Sequence, residues 1–159
     1  SDWGQTHYLS DISFNENFIV KHSLNKLLSE IVLHVNNYCK EIGYTKYSSF
    51  EITESWAALF KNGNYGHIHN HGVCDISGVY YYKTSGSDGD IFFEPPNPHF
   101  HSSICFFGLG SRFRFTPEEG KLLLFPSWMR HGIETNTTDN DRISISFNIV
   151  FPRYKIEAK

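Results

Sequence analysis

From Phe50 onward, apolar and polar residues fall into short runs broken by turn residues. The runs are FEITESWAALF, GHIHNHGV, ISGVYYYKT, DIFFEP, RFRFTP, KLLLFP, HGIET and RISISFNIVF; the breaks include KNGNYG, SGSDGD, PPNP, PEEG, SWMRHG and TNTTDND. Runs of this length, bounded by Gly, Pro, Asn, Asp and Ser, read as strands. Eight strands at this spacing predict a mainly β protein, a two-sheet jelly roll or a closed barrel. The strand–helix alternation of a doubly wound sheet is absent.

The one strong helical pattern lies before these strands. Leu24, Leu27, Leu28, Ile31, Val35, Tyr38 and Ile42 recur at helical spacing, and Gly43 follows as a C-terminal cap. This predicts an amphipathic helix with one apolar stripe. The final strand offers a face for the stripe to cover. Ile143, Ile145, Phe147 and Ile149 fall on one face, and Arg142, Ser144, Ser146 and Asn148 on the other. One reading gives the polar face to solvent. The other has it line a pocket between the sheets, while the apolar face packs against the helix.

Composition narrows this picture without changing it. A chain of 159 residues, 40% hydrophobic and 16% aromatic, can bury a core and is expected to form one domain over residues 1–159. Within it, 1–49 form a helical or extended N-terminal segment and 50–153 the jelly-roll core. A net charge of −3 gives no reason to expect nucleic acid or an anionic membrane as partner. No apolar run is long enough to span a bilayer. The N-terminal stretch SDWGQTHYLSD lacks a signal-peptide pattern, and its start on Ser1 points to processing or trimming. Cys39, Cys74 and Cys105 are an odd number without a CxxC pair, which suggests reduced thiols and a cytoplasmic location.

The candidate chemistry lies in the histidines. His67, His69 and His71 occupy every second position. Neighbours in such a series share a strand face roughly 6.5–7 Å apart and can converge on one metal, whereas the outer two stand about 13 Å apart and cannot. The metal pair is therefore His67/His69 or His69/His71, and a further ligand must come from elsewhere. His131, which follows the Phe-Pro turn of KLLLFPSWMRH, is the candidate. Asp75, four residues past His71, would need a bulge to reach the same ion, so a turn or supporting role suits it better.

In order along the chain, HNH (His69–His71), SGVYY (Ser77–Tyr81), GDIFFEP (Gly89–Pro95), GKLLLFPSWMRH (Gly120–His131) and RISISFN (Arg142–Asn148) resemble the 2-oxoglutarate/Fe(II)-dependent oxygenases, in particular small bacterial and phage members. The resemblance implies a double-stranded β-helix, that is, a cupin-like jelly roll with the N-terminal helix on the major sheet. It also implies that His69, His71 and His131 hold Fe(II), with His67 outside the ligand set. It assigns Arg142 to the distal carboxylate of 2-oxoglutarate as a bidentate partner, with Ser144 adding a hydroxyl. Asn64 and either Tyr80 or Tyr82 are further candidates for cosubstrate contact, with core packing an equal alternative for the tyrosines. The implied reaction uses O2 and 2-oxoglutarate to hydroxylate a small-molecule or peptide substrate, releasing succinate and CO2. The wider superfamily carries Asp or Glu where this chain has His71, which leaves more positive charge at the metal.

Two other readings compete. A cupin-type metalloprotein would use His69, His71, Asp75 and His131, but needs no arginine after His131. A non-catalytic jelly-roll binding module would leave the histidines on the surface. The stretch PPNPHFHSSICFFGLGSRF is long for a hairpin connection and suits a substrate wall, with His99 and His101 as substrate contacts or surface residues. Trp56 and Trp128 fit core packing better than a pocket wall.

Overall fold

The structure, a computed structural model, describes residues 6–10, 17–47, 49–97 and 112–152. The His99/His101 loop and Cys105 lie outside the described residues. The elements are β1 (Tyr8–Leu9), α1 (Phe18–Lys21), α2 (Asn25–Glu41), β2 (Glu51–Phe60), β3 (Gly66–His69), β4 (Ile76–Lys83), β5 (Ile91–Phe93), β6 (Phe113–Phe115), β7 (Leu122–Pro126), β8 (His131–Ile133) and β9 (Arg142–Val150). All the expected strands form, as β2 to β9. They make two antiparallel sheets, a major one ordered β1-β2-β9-β4-β7 and a minor one ordered β3-β8-β5-β6. Of the two architectures that the strand pattern allows, this is the two-sheet jelly roll, in the double-stranded β-helix form that the resemblance implies.

The short strand β1 is an addition. It pairs with the end of β2 through Tyr8 opposite Leu59 and Leu9 opposite Ala58. Two residues are too few to show a period, so nothing in the sequence pattern marks it.

Helix α2 lies on the outer face of the major sheet. Its buried residues Ile31, Val35 and Cys39 form an i, i+4 row. They pack with Ile76 of β4, with Ile145, Phe147 and Ile149 of β9, and with Phe151. Gly43 ends the helix at φ +77°. Tyr44 N–H donates to Cys39 O and Gly43 N–H to Lys40 O, a Schellman closure that a residue with a Cβ would strain. The expected stripe is slightly misplaced at this end. Ile42 is past the last helical residue and is 59% exposed, while Cys39 takes the buried position.

Gly78 shows how tightly this face is built. It pairs with Phe147 across β4 and β9. A Cβ at Gly78 would fall 2.2 Å from Phe147 Cζ, so the glycine makes room for the ring. The opposite face of the same strands turns inward toward the minor sheet, and the space between the sheets is the site.

Candidate active site

Between the sheets lies a cavity of about 390 Å³. Strand pairing arranges its floor in rows. Phe60 of β2 is opposite Arg142 of β9; Ala58 and Tyr81 flank Ser144; Trp56 and Val79 flank Ser146; Glu54 and Ser77 flank Asn148. The polar face of RISISFN thus lines a pocket rather than facing solvent, with Arg142, Ser144, Ser146 and Asn148 all among the lining residues.

His69 and His131 are opposite each other on β3 and β8, and His71 follows β3 directly. His71 is held by its own N–H donating to Ser127 O in the turn that leads to His131. One potential ligand nitrogen from each of the three lies within 4.8 Å of the others. Nδ1 of His69 is 2.8 Å from His67 O, and Nδ1 of His131 is 3.0 Å from Met129 O. A carbonyl only accepts, so each Nδ1 carries the proton and each Nε2 presents a lone pair. Burial drives the pKa of His71 down to about 3, helped by repulsion from His69 and His131. His131 falls to about 4, again through burial, opposed by the Met129 carbonyl and reinforced by His69. Burial also lowers His69, against the His67 carbonyl. All three are neutral imidazoles, the form that binds metal.

Of the alternatives for the pair, the structure brings together His69 and His71. His67 is exposed and packs edge-on against Tyr65. Asp75 is outside the triad, its carboxylate accepting the N–H of Phe151 at 2.8 Å. Trp56 is a cavity wall facing the His71 ring at 6.2 Å, and Trp128 is 55% exposed, so the expectation of core packing fails for both.

In the row opposite Phe60, Arg142 has no exposed surface. Its Nη1 donates to Gly89 O at 2.7 Å, and its guanidinium sits 4.1 Å above the centre of the Phe60 ring. Nε and Nη2 are buried and have no hydrogen-bond partner among the described residues. Burial lowers its pKa, opposed by Tyr81, Asp88 and Asp90. No carboxylate among the described residues is within ion-pair distance of it. A buried cation with two unmatched N–H groups is costly unless a ligand supplies the acceptor. A planar fork of this kind fits a carboxylate.

Three sequence expectations change here. Tyr80 points to the helix side and packs on the α2 core, and Tyr82 is 63% exposed. The tyrosine in the cavity is Tyr81, 2% exposed and opposite Ser144, with its pKa pushed up to about 12 by burial. A run of three tyrosines carries no alternation, so parity has to be set by its neighbours. Ser77 sets it, because its hydroxyl meets Asn148 in the polar row. A register shift after Tyr81 then leaves Tyr82 outside the pairing. Asn64 is a turn residue. Its side-chain oxygen accepts Lys61 N–H and its carbonyl accepts Asn136 N–H.

His7, which the sequence did not single out, also lines the cavity. It is buried, stacks on Phe60 at 4.4 Å, and has its pKa lowered chiefly by burial. It precedes β1 in a polar stretch with no periodic signal.

Residues 54–148, more than half of the chain, match the family described as "Putative 2OG-Fe(II) oxygenase". The chain belongs to this family. Solved structures agree on the fold. A 2OG-Fe(II) oxygenase family oxidoreductase from Burkholderia pseudomallei superposes with TM-score 0.56 at 14% identity, over 77% of this chain and 55% of that one. A viral collagen prolyl hydroxylase from Paramecium bursaria Chlorella virus-1, in complex with 2-oxoglutarate, gives 0.55 at 13% identity, over 95% and 83%. A Pseudomonas putida prolyl-4-hydroxylase gives 0.53 at 16% identity, over 92% and 68%. The chain thus spans about half of the first of these structures. No curated protein sequence matches it at a significant level.

The family's two groups fit the residues present. Three neutral imidazoles suit a divalent first-row metal and leave its other positions open. The orphaned N–H groups of Arg142 suit the far carboxylate of a dicarboxylic acid.

Proposed function

We propose that this protein is an Fe(II)- and 2-oxoglutarate-dependent dioxygenase that hydroxylates a small-molecule or peptide substrate with release of succinate and CO2. The observation that carries the reading is the pairing, in one cavity, of a convergent neutral histidine triad with a buried arginine lacking partners for Nε and Nη2. His69, His71 and His131 hold the metal. Arg142 takes the distal carboxylate of 2-oxoglutarate, oriented by Gly89 O and the Phe60 ring. Ser144 and Tyr81, neighbours across β9 and β4, are placed to donate hydroxyl hydrogen bonds to the same cosubstrate. Burial keeps Tyr81 protonated at neutral pH, so it acts as a donor. When bound, iron with 2-oxoglutarate activates O2; the chain supplies orientation and a cavity with apolar walls. Thiols at Cys39 and Cys74 support a reducing, cytoplasmic location.

The test is succinate release from 2-oxoglutarate with Fe(II) and O2, alongside 2-oxoglutarate titration of the Mn(II) form. Arg142→Ala should abolish saturable binding, while His69→Ala and His131→Ala should lose the metal. His71→Asp should retain metal with a shifted charge-transfer absorption, since a carboxylate reaches the same side of the strand. Unchanged metal binding and spectrum in both His71→Asp and His71→Ala would remove His71 from the ligand set.

A further inference from the structure

Away from Arg142, the cavity floor ends in a polar row that neither the metal nor the cosubstrate uses. Glu54 is the one carboxylate among the described residues lining the cavity. Asn148 Nδ2 donates to Glu54 Oε2 at 2.9 Å, and Asn148 Oδ1 accepts from Ser77 Oγ at 2.9 Å. The direction of this chain is fixed by chemistry. A carboxylate only accepts, so the Asn148 amide must face it with its NH2, and the amide oxygen is left for Ser77. The network holds one oxygen of Glu54 in place. Oε1 takes no hydrogen bond within the described residues.

Position separates this row from the cosubstrate. Glu54 pairs with Asn148 and Phe60 with Arg142. Six residues of strand put the backbone positions of the two pairs about 20 Å apart. A five-carbon diacid anchored on Arg142 falls well short of Glu54. Trp56 lies between, two residues from Glu54 on the same strand face, where its ring faces His71. A group held by Glu54 would therefore run along Trp56 before its chain reaches the triad.

Charge favours a cation there. The arginines on the minor-sheet side are already paired, Arg112 and Arg130 with Glu94 and Arg114 with Glu134. The cation inside the cavity, Arg142, is committed to the cosubstrate. At this end, among the described residues, an anionic substrate would meet the like charge of Glu54. A cationic one would meet a pre-oriented carboxylate with an open oxygen and an aromatic ring beside it.

We propose that the substrate carries a protonated amine or guanidinium group bound by Glu54 Oε1, with its aliphatic stem against Trp56. The inference rests on the dioxygenase reading and adds the substrate's chemical class. About 7 Å of strand separates Glu54 from Trp56, so the carbon presented to the metal is several bonds from the cation.

The experiment uses the protein loaded with Mn(II) and 2-oxoglutarate, after a titration that establishes 2-oxoglutarate binding. Calorimetry then compares capped Gly-X-Gly tripeptides, with X as Lys, Arg, Gln or Glu, and the free amides of lysine and arginine. A Lys or Arg probe should bind about tenfold more tightly than the Gln and Glu probes, the equivalent of one charge-assisted hydrogen bond. Glu54→Gln, which still accepts from Asn148, should erase the preference, and Glu54→Lys should transfer it to the Glu probe. A stronger response from the tripeptides assigns the cation to a peptide, and a stronger response from the free amides assigns it to a small molecule. Equal binding by all probes, including none, overturns the inference, as does a preference that survives Glu54→Gln. If 2-oxoglutarate itself fails to bind, the dioxygenase reading falls first.

Discussion

Arg142 and Gly89 act as a unit at the scale of single residues. Gly89 has φ +103°, and a Cβ there would lie 2.3 Å from Glu134 O, so only glycine can place its carbonyl on Arg142 Nη1. Gly89→Ala is expected to cost about 1–3 kcal/mol of stability and to weaken 2-oxoglutarate binding as well. Chemical denaturation and cosubstrate titration of one sample check both effects. Arg142→Lys keeps the charge but loses the planar fork, and its 2-oxoglutarate affinity should fall by about tenfold or more. His67→Ala should leave metal affinity close to that of the unaltered protein, measured by competition with a chelating dye. A loss as large as that of His69→Ala would mean that the ligand register is shifted by one strand repeat.

At the scale of elements, α2 and β9 carry stability, and the inner face of β9 carries the site. Ile31→Ala removes a fully buried side chain from the outer layer and should cost about 2–5 kcal/mol. Gly78→Ala overpacks against Phe147 and should cost about 1–3 kcal/mol. Neither residue supplies a metal ligand, so urea midpoints should move further than metal affinity in both variants. Much of this layering was legible in the sequence. RISISFN alternates cleanly, and one residue of every two pointed into the pocket as its period requires. The alternating histidines left two choices of pair, the Phe-Pro turn marked His131 as a partner, and the family resemblance pointed to His69 and His71. What escaped lacked a repeating signal. VYYY has no alternation, and the serine that fixes its parity makes sense only once Asn148 is known to face it. Asn64 is polar and near the histidines, yet its side chain closes a turn. His7 reaches the site through a two-residue strand. Glu54 stood in plain view on β2, but only the register with Asn148 shows which end of the cavity it occupies.

Across the whole molecule, burial lowers the pKa of His7, His69, His71 and His131 from an ordinary 6.5. The sign follows from linkage. Between the depressed folded values and 6.5, the unfolded chain binds protons that the folded chain refuses, so stability falls as pH falls. The metal-free protein should keep its full histidine contribution above about pH 6.5 and lose it progressively toward about 4 for His131 and about 3 for His71. Urea titrations at steps from pH 7.5 to 4.5 should show a monotonic decline, and a flat profile down to pH 5 would contradict the burial of these rings. Arg142 carries a different consequence for the same balance. With two donors walled off from water and unmatched, the native state is held below the stability its core would otherwise reach, and a metabolite can return the difference. A concentration of 2-oxoglutarate one hundred times its dissociation constant should add about 2.7 kcal/mol by mass action. Cleavage by an added protease, which acts on the transiently opened chain, should slow in step as 2-oxoglutarate is titrated in.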